Sequence, residues 1–329
     1  MSPQPVVVDL LIVGAGPAGL YGAYYAGFRG LSVAVVDSLP EAGGQVCAMY
    51  PEKLIYDVAG FPAVKGRDLV SSLVEQASSA DPTYLLDRTA TSLVADPATG
   101  GVQVELDDGT TVSAGAVIVT AGIGKFTPRE LPAARDWKGG GVSFFVPSLD
   151  DYADQDVVIV GGGDSAFDWA QHLEPVARSV TLVHRRDRFR AHRATVDAVL
   201  GSSVEVLPKA NVSRLIGVDG LAEVEITDLE TNEVRLVKAQ AVIAALGFLA
   251  DLGPLREWGL ETDKRYILVN SAMETNLPRV YAAGDVTEYP GKVRLIAVGF
   301  GEVATAVNNA AVAVHPEQSL FPGHSSEGK

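Results

Sequence analysis

The chain has 329 residues, 47% of them hydrophobic, with 34 glycines and with 41 acidic against 26 basic side chains, for a net charge of −15. That length predicts about two domains, and the acidity argues against nucleic acid or an anionic membrane as a partner. No apolar run reaches the ~18 residues of a membrane span, and the single cysteine, Cys47, excludes an intramolecular disulfide.

The N-terminus enters its first strand within ten residues, without a basic segment or a cleavage site. No secretory signal is expected, and the expected setting is the reducing cytoplasm. Residues 10–13 are continuously apolar, the pattern of a buried parallel strand. They run into Gly14-Ala15-Gly16-Pro17-Ala18-Gly19, a helix predicted over 20–28, and a second strand over 31–36 that ends at Asp37. Each glycine has a mechanical reason. Gly14 permits the tight turn, Gly16 lets a pyrophosphate reach the backbone, and Gly19 lets helix and strand pack closely. Asp37 lies 23 residues after Gly14 (37 − 14), where a carboxylate accepts hydrogen bonds from a ribose. With strand, helix, second strand and acid in register, this stretch predicts a dinucleotide site.

A glycine-rich loop follows at Gly43-Gly44-Gln45, then helical spacing over 67–79 and an alternating meander over 102–112 about Asp107-Asp108-Gly109. A buried strand over 116–120 closes on Gly122, and the proline- and glycine-rich stretch 125–141 reads as a linker. Residues 157–166 then restart the plan, with Gly161 lying 147 residues after Gly14 (161 − 14). A helix is expected over 167–173, a strand over 179–183, a second meander over 223–237 and a strand over 241–245. The tail, with a strand ending at Gly284-Asp285 and an alanine-rich helix over 301–314, is expected to return to the first domain. The predicted division is 1–124 and 252–329 for a discontinuous first domain, and 125–251 for the second.

Comparing the two copies separates their ligands. Where the first has Asp37, the second has His184, followed by Arg185-Arg186-Asp187-Arg188-Phe189-Arg190. A carboxylate suits a free 2′-hydroxyl and cations suit a 2′-phosphate, so the second loop predicts NADP(H). Its candidate contacts are Gly161, Gly163, Asp164, Ser165, Ala166, His184, Arg185, Arg186 and Arg190. A hydride donor needs an acceptor, and Asp285 after Gly284 suits the polyol of a flavin, so the first site predicts FAD. A helix N-terminus beside that ligand favours its anionic reduced form.

Gly14 to Gly19, Gly43-Gly44-Gln45, Gly161 to Ala166, His184-Arg185-Arg186 and Tyr281-Ala282-Ala283-Gly284-Asp285 together resemble the thioredoxin-reductase-like flavoproteins, over nearly the whole chain. The resemblance implies an α/β fold of two Rossmann-like three-layer nucleotide-binding domains. Members that reduce disulfides carry a cysteine pair either just before the second glycine loop or after the first domain's Gly-Gly. The former segment here is Val142-Ser143-Phe144-Phe145-Val146-Pro147-Ser148, and the latter holds only Cys47, read as a packing residue.

The dithiol-free subgroup is the ferredoxin/flavodoxin–NADP reductases. The chain resembles it in Gln45 with Tyr50-Pro51-Glu52-Lys53, in Lys125-Phe126-Thr127-Pro128-Arg129, in Asp164-Ser165-Ala166-Phe167-Asp168-Trp169 and in Phe321-Pro322-Gly323-His324-Ser325-Ser326. That resemblance implies Asp37, Gln45, Tyr50, Ala90, Phe126, Asp285 and Ser326 around FAD. It also implies Tyr50 on one flavin face and His324 on the other, the latter in a homodimer, and a rotation of the NADP domain. The implied reaction passes hydride from NADPH to flavin N5 and then single electrons to ferredoxin or flavodoxin. A carrier-free diaphorase acting on quinones or metal ions is the alternative, and a non-catalytic flavin-binding sensor is another. An acidic carrier would need a local basic patch, for which Lys53, Lys65, Arg67, Lys292 and Arg294 are candidates.

Overall fold

Apolar runs become strands here, and the glycine turns between them decide where helices begin. In the computed structural model, which describes residues 5–95 and 100–324, the first glycine loop joins β1 (Val6–Val13) to α1 (Pro17–Phe28), followed by β2 (Val33–Asp37). β1 exceeds its apolar core because Val6, Val7 and Val8 extend the pairing onto Val112, Ser113 and Ala114. Pro17 takes the first turn of α1, where a missing N–H costs nothing. The second copy repeats the plan as β3 (Asp156–Val160), α2 (Asp164–Leu173) and β4 (Ser179–Val183). β5 (Val280–Ala282) and α3 (Ile296–Val314) follow near the end of the chain.

The chain divides into two compact units. Residues up to Ala48, Lys53–Lys125 and those from Ala250 onward form the first; Met49–Glu52 and Phe126–Leu249 form the second. The two main crossings, Lys125–Pro128 and Phe248–Asp251, run as paired strands.

In the first unit the sheet order is Thr83–Leu86, β2, β1, Thr111–Val119, Val102–Leu106, Ala90–Ala95. β5 returns to pair in parallel with Thr111–Val119, setting Val280 beside Val117 and Ala282 beside Val119. The unit is therefore discontinuous in sequence. On one face Leu10, Ile12 and Ile118 pack with Ala23, Ala26, Val303 and Val307 of α1 and α3. On the other, Leu11, Val117 and Val119 pack with Val104, Leu106, Trp258 and Ile267.

α3 starts at Ile296, earlier than the expected Gly301. Gly299 and Gly301 sit inside its first turns and do not end it, because Gly299 lets the helix lie close to Gly284, where an added Cβ would come within 3.4 Å of Cα. At 19 residues α3 is long and apolar enough to cross a membrane by length and composition alone. Its Val303, Ala306, Val307, Ala310 and Ala311 are nevertheless buried in the core. Arg29, at the end of α1, is buried. It donates to Asn308 Oδ1 at 2.8 Å, Gln318 Oε1 at 3.0 Å, and the carbonyls of Ser319 at 2.9 Å and Leu320 at 3.0 Å. One guanidinium thus ties the segment after α3 to both helices.

The second unit has a five-stranded sheet in the order Val142–Ser143, Ala241–Ala244, β3, β4, Glu205–Leu207, all parallel. Phe167, Trp169 and Leu173 of α2, with Val196 and Val199, cover one face. A three-stranded antiparallel meander, Ala210–Ile216, Glu223–Asp228 and Val234–Lys238, covers the other through Val212, Leu215, Val224 and Ile226. Both units are three-layered, as an α/β chain with helix-length crossovers requires.

Candidate nucleotide sites

The first glycine loop is braced from beneath. Gly14 has φ +117°, and a Cβ there would lie 2.6 Å from the carbonyl oxygen of Thr120, so only glycine fits. A Cβ on Gly19 would meet the Gly14 oxygen at 1.8 Å. Thr120 Oγ1 donates to that same Gly14 oxygen at 2.8 Å. Gly16 is different: an added Cβ would meet no atom within 4 Å. Its backbone therefore faces open space at the N-terminus of α1, where N–H groups lacking intrahelical partners favour an anion. Gly44 closes the loop's other side, since a Cβ there would stand 2.9 Å from Gly16 Cα. The Gln45 amide lies beside Gly122. Ala18 lines the loop opposite Gly284, and Ala90 is buried in the core at the start of its strand.

Asp37 reaches the loop from the end of β2. Its Oδ2 accepts from the Ala15 N–H at 2.6 Å and its Oδ1 from the Leu39 N–H at 2.9 Å. Burial raises its pKa against the pull of those N–H groups and that of Ser38. The acid thus shapes the loop as well as offering lone pairs to a ligand. Across the loop, Gly284 (φ +82°) turns the chain after β5, and Asp285 follows it. Burial raises the Asp285 pKa, opposed by Lys292 and Arg294. Among the described residues no hydrogen bond reaches its carboxylate. Ala297, in the first turn of α3, lines an open groove of about 580 Å³ with Tyr56, Asp57, Val58, Phe61 and Pro62. Cys47 packs under Gly43, whose added Cβ would touch Sγ at 2.4 Å, and burial and Glu41 push the thiol pKa up.

In the second unit Gly163 also faces open space, with nothing within 4 Å of an added Cβ. Gly161 abuts the Ala245 carbonyl, and Ala166 is fully buried beneath the loop. Asp164 opens α2, with Ser165 behind it in the same turn; Asp164 Oδ1 accepts from the His192 N–H at 2.8 Å. The His184 ring lies over Gly162, and among the described residues its buried Nε2 has no partner. Burial and then Arg186, Arg185 and Arg190 hold its pKa down, against the raising effect of the Arg188 backbone. Arg185, Arg186 and Arg190 are exposed. Among the described residues no carboxylate pairs with them, whereas Arg88, Arg178, Arg214 and Arg235 all find one. Open backbone at Gly16 and Gly163, the orphaned His184 nitrogen and the unpaired cations all fit bound dinucleotides.

Residues 8–313 match the family of pyridine nucleotide-disulphide oxidoreductases. The chain belongs to that family. It is 67% identical over 330 residues to a ferredoxin–NADP reductase of Nocardioides sp., covering 99% of each chain. To one of Frankia alni it is 63% identical over 317 residues, covering 96% of this chain and 98% of the other. Among solved structures it is similar to a T. acidophilum thioredoxin reductase, with a TM-score of 0.76 and 27% identity over 93% of this chain and 98% of that one. This pyridine nucleotide-disulphide oxidoreductase nevertheless has one cysteine, so it lacks the dithiol of the family name.

Other expected site residues stand apart. Tyr50 belongs to the stretch Met49–Glu52 and packs on the core of the second unit. Phe126 lies on the strand Lys125–Pro128. His324 is exposed and meets Phe321 edge-on at 5.2 Å. Ser326 lies outside the described residues. Of the five candidate basic-patch residues, Lys292 is not on the surface: its side chain is 1% exposed and paired with Glu302, a buried acid that draws it inward. Arg294 is taken by Glu288 at 2.6 Å and stacks 3.7 Å over Tyr266. Lys65 and Arg67 are exposed at the base of the hairpin that carries Tyr56 and Phe61. Sequence reasoning missed Thr120, Arg29 and the Lys292–Glu302 pair. The one visible signal was Glu302, the only charged residue in α3.

Proposed function

We propose that this protein is an NADPH-dependent flavoprotein that passes electrons to ferredoxin, with FAD in the first unit and NADP(H) in the second. The observation that carries the reading is the contrast between the two glycine loops: a carboxylate on the first, and on the second an imidazole whose pKa is held down beside three exposed arginines that no carboxylate pairs among the described residues. The relatives at 60–67% identity named ferredoxin–NADP reductases support it.

Gly14, Gly16, Pro17, Ala18 and Gly19 would hold the FAD diphosphate, with Asp37 on the adenosine ribose and Asp285 on the ribityl chain. Gly44, Gln45 and Ala90 complete that side, with Phe126 and Ser326 as the remaining contacts. When bound, FAD supplies a centre that takes two electrons from NADPH and releases them singly. Gly161, Gly163, Asp164, Ser165 and Ala166 would hold the NADP diphosphate. Arg185, Arg186 and Arg190 would bind the 2′-phosphate, and His184 would donate or accept there through Nε2. No side chain has to transfer a proton, so Tyr50 and His324 are assigned as stacking groups on the two flavin faces. Tyr50 would have to leave the core it packs on, a change that suits a reaction gated by movement of the second unit.

A second copy of the chain is the proposed structural partner. Tyr21, Tyr24, Tyr25 and Phe28 form an aromatic strip on α1, joined by Phe300 of α3 with its ring 5.1 Å from Tyr21. Tyr21 and Tyr25 also pack on the core, and Phe28 is the exposed member of the strip; in such a pair of chains His324 would serve the partner's flavin. With one thiol and no disulfide, the proposed setting remains the cytoplasm.

Anaerobic mixing of the yellow protein with NADPH and with NADH, followed by ferredoxin, tests the reading. Fast bleaching by NADPH alone with ferredoxin-dependent reoxidation is expected. Equal bleaching by NADH would remove the 2′-phosphate assignment, and reoxidation only by small quinones would remove the carrier.

A further inference from the structure

We infer that Lys292 and Glu302 are a positioning pair for Asp285, an inference that rests on the reading of the first unit as the FAD site. Glu302 is the sole charge of α3, with 5% of its side chain exposed, and Lys292 comes from the loop before the helix with 1% exposed. Lys292 Nζ stands 2.5 Å from Glu302 Oε1. The pair then takes both main-chain groups of one residue. Glu302 Oε2 accepts from the Gly284 N–H at 2.7 Å, and Lys292 Nζ donates to the Gly284 carbonyl at 2.9 Å. Thr287 Oγ1 donates to that same carbonyl at 2.8 Å, and the Tyr289 hydroxyl donates to Glu302 Oε1 at 2.6 Å.

Gly284 is in the left-handed region, at φ +82°. The direction in which Asp285 leaves the turn therefore depends on what fixes the Gly284 peptides, and two buried, opposite charges from different elements fix them. Fold stability alone does not account for such a pair, because buried ion pairs are often replaced by apolar residues at no cost. Orientation does account for it: α3, the Gly284 turn and Asp285 move as one piece. The pair acts through Asp285, by the backbone it holds and by the Lys292 charge that opposes the burial of that carboxylate.

The test is a double-mutant cycle read by titrating FAD into the flavin-free protein. Asp285→Asn is expected to weaken FAD binding ~100-fold and Lys292→Met ~10-fold, from loss of hydrogen bonds to charged groups. Because Lys292 acts through Asp285, the combined variant should bind within ~2-fold of Asp285→Asn alone. The Kd for NADP+ should stay unchanged throughout. Losses that multiply to ~1,000-fold, or parent-like affinity in Lys292→Met, would overturn the inference and leave the FAD site standing. Unchanged affinity in Asp285→Asn would instead remove the FAD-site reading, and this inference with it. If Lys292→Met does not fold, Lys292→Met/Glu302→Gln leaves no buried charge, and its melting is checked by circular dichroism. That variant should fold and still bind FAD ~10-fold more weakly; parent-like affinity would again overturn the proposal.

Discussion

The two glycine loops share a spacing and differ in almost everything that touches a ligand. Offset by 147 residues, Gly14 matches Gly161, Gly16 matches Gly163, Gly19 matches Ala166 and Asp37 matches His184. The open positions, Gly16 and Gly163, are alike: both point backbone into empty space. The crowded positions are not. Gly14 needs φ +117°, whereas Gly161 has no positive φ, and the space under Gly19 that admits no Cβ is, in the second unit, filled by Ala166. The pyrophosphate cradle is therefore the common part, and the packing beneath it and the acid or base beside it are free to diverge. Ligand identity lies in the divergent part.

The harshest way to break the comparison is to exchange the third glycine position. Gly19→Ala drives a methyl to 1.8 Å from the Gly14 oxygen and 2.8 Å from Thr120 Oγ1, both fixed by the sheet. A loss of about 3 kcal/mol is expected, the upper end for overpacking, together with loss of bound FAD. Ala166→Gly, the reverse exchange, should cost only about 1 kcal/mol by helix propensity and cavity. Thermal melting and the visible absorbance of the purified variants check both. Comparable losses in the two would show that the loops are packed alike.

A more selective break is at the base. Arg185→Ala/Arg186→Ala together should raise the KM for NADPH at least ~100-fold and leave NADH almost unaffected, since each charge-assisted contact contributes about 1.5–3 kcal/mol. The gap should narrow as salt is added. Smaller still is Gly16→Ala against Gly163→Ala. Neither added methyl meets a protein atom within 4 Å, so each apoprotein should melt within about 0.5 kcal/mol of the parent. Each should weaken only its own nucleotide, by ~10-fold, measured by separate titrations with FAD and NADP+. Cross-effects would mean that the nucleotide assignment of the two units is wrong.

What could be read in advance follows the same division. The repeated plan was legible: both loops, the strands that feed them, and the residue at the end of each second strand, because periodicity and glycine spacing are set by neighbours in sequence. The short helices Gly44–Met49 and Arg193–Leu200 and the strands Thr83–Leu86 and Ala90–Ala95 were not read. The β5 return to the first sheet was legible from a strand ending in Gly284-Asp285 outside the second repeat. The start of α3 was not, since Gly299 and Gly301 look like breakers until the close approach to Gly284 is seen. Nor was the role of Arg29, whose partner Asn308 lies 279 residues away. Lys292 was mistaken for a surface cation because composition does not show that Glu302, ten residues on, is buried. Long-range polar contacts leave no period in the sequence.

The smallest expected difference between the loops is in their response to pH, and it has opposite signs. Burial holds Asp37 above its ordinary 3.8. Between 3.8 and its folded value the folded chain binds more protons than the unfolded one, so stability falls as pH rises through that window. His184 is held below its ordinary 6.5. Between its folded value and 6.5 the folded chain binds fewer protons, so stability falls as pH drops through that window. In nucleotide-free protein, the melting temperature of Asp37→Asn relative to the parent should therefore climb as pH rises from below 4, because the variant has no carboxylate to ionise. That of His184→Asn relative to the parent should climb as pH drops below 6.5. Subtracting the parent removes Asp285, which titrates in the same sense as Asp37. Saturating FAD should flatten the first trend and leave the second, since a ribose donating to Asp37 favours its ionised form. Two trends of the same sign would show that burial does not govern both groups, and the contrast of a buried acid with a buried imidazole would fall, leaving the distinction between the two loops to the arginines alone.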